Sequence, residues 1–386
     1  MNIINLDCAS ATPLLPEVRQ AMAAALEEGG NPSSLHQAGR AAKQRLEHAR
    51  EQVAALIGAS AEEVSFTSCG TESNNWALRG LFAANRRKGS HVILSAIEHP
   101  SVSLAARRLE REGAEVTVLP VDGEGAISPG TLKALLRPET VVVSLMLANG
   151  EVGTIEPIAA LAAVAHEHGA LVHTDAIAAV GHIPVDVKGL GMDAMSLAAS
   201  QFYGPAGAAA LYIKEGVRIL PLLEGGGQEH GGRSGTEALS AITGMGAAAE
   251  IARRDGAQRM ERLSRLRNRL REELEARIER LRVNGSWASR LPHNLHVCID
   301  GVSSESLVLG LDQAGIAAGL GSACNSKAMR PSHVLKAMGL TDEQATGALV
   351  LTVGEGTTDE EITRAIEVIP QVVEKLRRVT ALTSRG

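Results

Sequence analysis

Along this chain, short runs rich in β-branched and apolar residues alternate with stretches whose apolar residues recur at helical spacing. EVSFTS (63–68), HVILSA (91–96), TVVVSLML (140–147), ALVHTDA (170–176), AMSLAA (194–199) and AAALYI (208–213) read as strands, because apolar runs of this length suit a sheet covered on both faces. TLKALLRP (131–138) and IAALAAVAHEHG (158–169) read as helices between them. The alternation predicts an α/β fold with a mostly parallel sheet covered by helices, and ligands at the carboxyl ends of its strands. AQRMERLSRLRNRLREELEARIERLR (257–282) predicts one long amphipathic helix whose charges form a solvated face. That helix divides the chain. Residues 1–255 form the expected large α/β domain, although about the first 12 residues are expected to pack with the small domain. Residues 256–386 form a smaller α+β C-terminal domain, with a strand at HNLHVCID (293–300) and helices near 304–313 and 359–377. There is no internal repeat or low-complexity segment.

Composition narrows the classes of function. The chain has 386 residues, 45% hydrophobic and 21% charged, enough to bury a large core in about two domains. A net charge of -6 and 2% aromatics, with no basic run interleaved with aromatics, argue against nucleic acid as the main ligand. No stretch reaches the 18 apolar residues of a membrane span, and MNIINLDCASATP has no signal-peptide pattern, so a cytoplasmic location is expected. The four cysteines, at positions 8, 69, 298 and 324, form no CxxC pair. Any centre they build has to be assembled by the fold.

GNPSSLHQAGR (30–40), FTSCGTESNN (66–75), SAIEHPSV (95–102), EVGTIEPI (151–158), HTDAIAAVGHIPVDV (173–187), GGGQEHGGRSGTE (225–237) and GSACNSKAMRPSHVLKAMGL (321–340) carry a resemblance. In order and spacing they resemble the cysteine desulfurases of the NifS/IscS type, within the class V aminotransferase group, from about Leu6 to about Thr358. The resemblance implies a fold type I transferase of the kind that uses pyridoxal phosphate (PLP). It also implies a homodimer with the site near the subunit interface, a loop carrying the persulfide cysteine Cys324, and a sulfur-acceptor or iron-sulfur scaffold protein as partner. By the same resemblance, His99 stacks on the cofactor, Asp175 meets its pyridine nitrogen, Thr71 lies at the phosphate turn, and Arg233 to Thr236 serve the neighbouring subunit's site.

Departures from the family pattern cluster around one position. Gln201 stands where the family has the lysine that holds PLP covalently, and an amide has no nucleophilic amine. Ser200, Ala198, Ala178, Gly150 and, within a residue or so, Val350 replace further family residues that grip cofactor or substrate. These losses imply that neither PLP nor free cysteine is handled in the usual way. Conversely, Cys8 replaces an asparagine at the cavity edge and Cys69 a glycine of the phosphate turn. With Cys324 they map to one pocket, and three thiols suit an iron-sulfur cluster (4Fe-4S) or a soft metal, with His99 available as a fourth ligand. The expectation is therefore a desulfurase-like protein of sulfur or iron-sulfur metabolism whose PLP site is replaced by a metal centre on Cys8, Cys69 and Cys324. The alternatives are an unusual PLP-dependent desulfurase that binds its cofactor non-covalently and uses Cys324, or a non-catalytic scaffold with no cofactor. Cysteine is also among the most buried residue types, so packing alone accounts for Cys8 and Cys69 if no centre forms.

Overall fold

A computed structural model describes residues 3–10, 12–320 and 331–383. Among them the strands are β1 (Ile4–Leu6), β2 (Val64–Thr67), β3 (His91–Ser95), β4 (Glu115–Leu119), β5 (Thr140–Ser144), β6 (Leu171–Asp175), β7 (Ala194–Ala198), β8 (Ala209–Ile213), β9 (Leu281–Asn284), β10 (Asn294–Ile299), β11 (Ile316–Ala318) and β12 (Ala348–Thr352). The helices are α1 (Pro16–Glu28), α2 (Gln37–Ile57), α3 (Gly70–Asn85), α4 (Pro100–Arg111), α5 (Pro129–Leu135), α6 (Ile158–Glu167), α7 (Val187–Leu190), α8 (Leu239–Arg277), α9 (Ser304–Gln313), α10 (His333–Ala337), α11 (Asp342–Ala345) and α12 (Asp359–Thr383).

The seven-stranded main sheet has the order β2-β8-β7-β6-β5-β3-β4. All its pairings are parallel except those that β8 makes with β2 and β7. Burial explains the composition of these strands: every residue of β2, β3, β5 and β7 is buried, because helices cover both faces. One apolar core joins α2, α6 and the start of α8 to β5, β6 and β7, and a second packs α3 and α4 on the opposite face. A third core unites β1, the second half of α8, β10, β12 and α12 around an antiparallel β12-β10-β9 sheet. The N-terminal strand β1 pairs in parallel with β11, Ile4 opposite Ile316.

The long helix differs from its sequence reading. It begins at Leu239 and ends at Arg277, because Arg280 takes a left-handed conformation (φ 54°) and Leu281–Asn284 pairs with β10 instead. Its charges are not all solvated either. Arg259 is 5% exposed and pairs with Glu355 at 2.6 Å, while Arg267 is 8% exposed and donates to the Leu291 carbonyl.

Candidate functional site

A cavity of about 460 Å³ opens at the carboxyl ends of the parallel strands, where sheets of this topology bind ligands. Cys69, Gly70 and Thr71 line it at the start of α3. The N-cap Cys69 makes no side-chain cap, so the first N-H groups of α3 have neither an intrahelical partner nor a cap from it, and the helix dipole favours an anion there. Opposite, Asp175 closes β6 at 6% exposure. Its Oδ1 accepts from the Ile177 N-H (3.0 Å) and its Oδ2 from Asn74 Nδ2 (2.7 Å). Burial raises the Asp175 pKa; the donated hydrogen bonds and nearby His99 oppose that rise. His99 is the N-cap of α4, its Nδ1 accepting from the Ser101 N-H at 3.1 Å with Pro100 fixing the helix start.

Gln201 also lines the cavity. It ends a 3-10 turn at Ala199–Gln201 after β7, and its Nε2 donates to the Ala9 carbonyl at 3.0 Å. The turn is tied to the N-terminal segment. Thr12 donates to the Ser200 carbonyl through both its N-H (3.1 Å) and its Oγ1 (2.9 Å), and accepts from the Tyr203 N-H at 2.7 Å. That last bond helps hold Tyr203 at φ 67°, a costly conformation for a bulky residue. The positions flagged as departures, Gly150, Ala178, Ala198, Ser200, Gln201 and Val350, share this one cavity with Thr71, His99 and Asp175.

The expected metal centre requires correction. Cys8 is buried and is not among the cavity-lining residues, although its neighbours Asp7 and Ala9 are. Its thiol donates to the Asn5 carbonyl at 3.5 Å, and burial beside Asp7 and Glu361 raises its pKa to about 11, opposite to what a thiolate ligand needs. Cys69 is exposed at the cavity wall, and Cys324 lies outside the described residues. Among the described residues no three His, Cys, Asp or Glu side chains are grouped to hold a metal ion. Cys298 is buried on β10 and accepts from Asn284 Nδ2 at 3.1 Å. Arg233 and Thr236 line a separate cavity of about 110 Å³ with Ser68 and Glu229. Arg233 Nε pairs with Glu72 Oε1 at 2.7 Å.

Several cavity residues escaped the sequence reading. Glu98, beside His99, is 1% exposed, and burial pushes its carboxyl up to about 8. Its Oε1 accepts from Ser95 Oγ and the Met146 N-H, while its buried Oε2 has no hydrogen-bond partner among the described residues. Glu151, also raised to about 8 by burial, lines the same wall. His293 stacks on His182, ring centroids 3.9 Å apart, and His182 Nε2 donates to the Gln201 carbonyl at 2.7 Å. Burial lowers His182 to about 4. Adjacency to His99 was a usable signal for Glu98; nothing local marked His182 or His293.

The fold and cavity define a fold type I, PLP-transferase-like α/β protein. The chain belongs to the class V aminotransferase family: residues 4–362 match "Aminotransferase class-V". It is 45% identical to the "Cysteine desulfurase IscS" of Dictyoglomus turgidum over 98% of this chain and 96% of that protein. It is 44% identical to the protein of the same name from Methanosarcina thermophila, over 99% and 95%. A solved "NIFS-LIKE PROTEIN" superposes with a TM-score of 0.91 at 32% identity, covering 97% of this chain and all of that one. Such kinship overturns the iron-sulfur expectation in favour of PLP, the cofactor of the group these relatives belong to. Among the described residues no helix is long and apolar enough to cross a membrane.

Proposed function

We propose that this chain is a PLP-dependent cysteine desulfurase-like enzyme of sulfur metabolism that holds its cofactor reversibly and passes sulfur to Cys324. The observation that carries the reading is the convergence of an uncapped helix start, a buried carboxylate and an N-cap histidine on one cavity large enough for a cofactor and a small substrate. The N-terminus of α3 with Thr71 suits the phosphate. Asp175, buried and with both oxygens already accepting hydrogen bonds, suits a protonated ring nitrogen. His99 lines the same wall as the stacking ring. Bound PLP supplies an electron sink for carbanion chemistry at an amino acid. Gln201 offers no amine, so its side chain orients the N-terminal segment through Ala9 and leaves the cofactor uncoupled from the chain.

In the overall transfer, the C-S bond of cysteine breaks as an S-S bond forms on Cys324. Cysteine and the Cys324 thiol become alanine and the Cys324 persulfide, with no external oxidant. A homodimer whose Arg233–Thr236 segment serves the neighbouring site, and a thiol-bearing sulfur acceptor, complete the proposal. The family kinship and the separate position of that segment support it. The test is PLP titration by equilibrium dialysis, followed by L-cysteine and mass spectrometry of Cys324. Saturable binding, alanine release and a 32-Da adduct (about one sulfur atom) on Cys324 are expected. Absence of saturable binding, or turnover that survives Cys324→Ala, overturns the reading.

A further inference from the structure

Four side chains join the floor of the cavity to its wall in one unbroken hydrogen-bond chain. Asp175 Oδ2 meets Asn74 Nδ2 at 2.7 Å, the same Nδ2 meets Ser101 Oγ at 2.8 Å, and Ser101 Oγ meets His99 Nδ1 at 2.7 Å. Asn74 is fully buried, and Asp175 and Ser101 are each 6% exposed. An ordinary helix cap accounts for the Ser101 N-H bond to His99 Nδ1 at the start of α4, and for none of these three side-chain links. It does not explain why the chain continues through an asparagine to a buried carboxylate.

The direction of every proton in this chain follows from one group that can only donate. The Ser101 backbone N-H points at His99 Nδ1 at 3.1 Å, so Nδ1 is an acceptor and carries no proton. Ser101 Oγ, sharing the same nitrogen, must then donate its hydroxyl proton to Nδ1. With that proton spent, Ser101 Oγ accepts from Asn74, which fixes the Asn74 amide with Nδ2 toward both neighbours. Both Nδ2 protons are thereby used, the second on Asp175 Oδ2. A flipped Asn74 would set its carbonyl against the carboxylate.

We infer that Ser101 and Asn74 are positioning residues: the Ser101 N-H and hydroxyl both donate to Nδ1 and hold His99 as the tautomer protonated on Nε2, while Asn74 orients that hydroxyl and keeps Asp175 as a hydrogen-bond acceptor. The relay links the group proposed to meet the cofactor's ring nitrogen to the ring proposed to stack on it by hydrogen bonds, in addition to the direct electrostatic effect of His99 on Asp175. The proton directions are a property of the chain itself; only their catalytic meaning rests on the proposed function.

The experiment is nitrogen NMR of the full, PLP-free chain labelled at histidine, in mildly alkaline buffer, with His99 assigned by its substitution. The wild-type His99 is expected to show a bare Nδ1 and a protonated Nε2. Asn74→Asp draws the Ser101 hydroxyl proton away from Nδ1 while the Ser101 N-H still points there, so His99 is expected to keep its proton on Nε2 and to show a shifted Nδ1 signal as one of its two donors is lost. Ser101→Ala removes the same hydroxyl donor, so alone it should move the Nδ1 signal in the same direction, and on top of Asn74→Asp it should add little. A proton on Nδ1 in the wild type overturns the inference whether or not any variant folds. So does an Asn74→Asp variant with unchanged His99 signals, or a second shift of the same size when Ser101→Ala is added. Because no PLP is present, failure of the cofactor titration leaves this result standing, and the reverse.

Discussion

Removing the Glu229 carboxylate tests how the loop bearing Arg233 and Thr236 is held. Arg50 on α2 and Glu229 are 2% and 5% exposed. They form a two-pronged pair, Nη1 to Oε2 at 2.6 Å and Nη2 to Oε1 at 2.9 Å. Glu229 Oε2 also accepts from the Phe66 N-H at 2.7 Å, and the guanidinium lies 4.8 Å over the Phe66 ring. Glu229→Ala leaves Arg50 with Glu47 as its remaining acidic partner, at a half-exposed site, and strands the Phe66 N-H. Breaking a buried pair from one side costs about 3–5 kcal/mol, because the other charge stays desolvated. Glu229→Gln keeps one acceptor and sets its NH2 against a guanidinium N-H, so it should fall between wild type and alanine. The double replacement Arg50→Met/Glu229→Met removes both charges and should cost less than the sum of the singles. Urea unfolding followed by circular dichroism reads all of these variants. A Glu229→Ala penalty below about 1 kcal/mol, the level of an exposed ion pair, or strict additivity in the double variant, would refute the reasoning.

Three other outcomes are expected. Gln201→Lys places an amine at the cavity wall at the expense of about 0.5–1.5 kcal/mol for the lost Ala9 hydrogen bond; borohydride treatment with PLP should then label that variant covalently at position 201 and leave the wild-type cavity unlabelled after denaturation, and equal labelling sinks the proposal for Gln201. Burial holds Glu98 up at about 8 against an ordinary 4.5, so in that window the unfolded chain is ionised while the folded one keeps its proton. Glu98 therefore makes stability fall as pH rises from about 4.5 to 8, and Glu98→Gln should flatten that fall; parallel stability curves for the two proteins contradict it. Gly347→Ala places a methyl 2.0 Å from the Ile299 carbonyl oxygen where β10 and β12 meet, and an overpacking penalty of about 1–3 kcal/mol should appear in thermal or urea unfolding; an unchanged midpoint contradicts it.

Much of the architecture was legible because local spacing carries it. The six apolar runs coincide with β2, β3, β5, β6, β7 and β8, whose burial on both faces leaves an uninterrupted signal. The strand β4, EVTVL, escaped because it is a sheet edge with partly exposed residues. The pair β1 and β11 escaped because three residues each pair across more than 300 positions of chain. The start of α8 was hidden by its small residues. Gly246 is there because a side chain would meet Ala49 Cα at 2.7 Å, a demand made by α2 and invisible at position 246 alone.

The sequence by itself determined the α/β alternation, the family likeness, and the set of positions that gather on one cavity. Tertiary structure alone decided which way those residues face. Cys8 and Cys69 look equivalent as letters, yet the first is buried outside the lining of the cavity and the second is exposed on its wall. Arg259 and Arg267 read as solvated charges until Glu355 and the Leu291 carbonyl, brought from distant parts of the chain, met them in the interior. The reason is physical: backbone periodicity is set by a residue's immediate neighbours, whereas burial, protonation and convergence depend on groups that become neighbours only when the chain has folded.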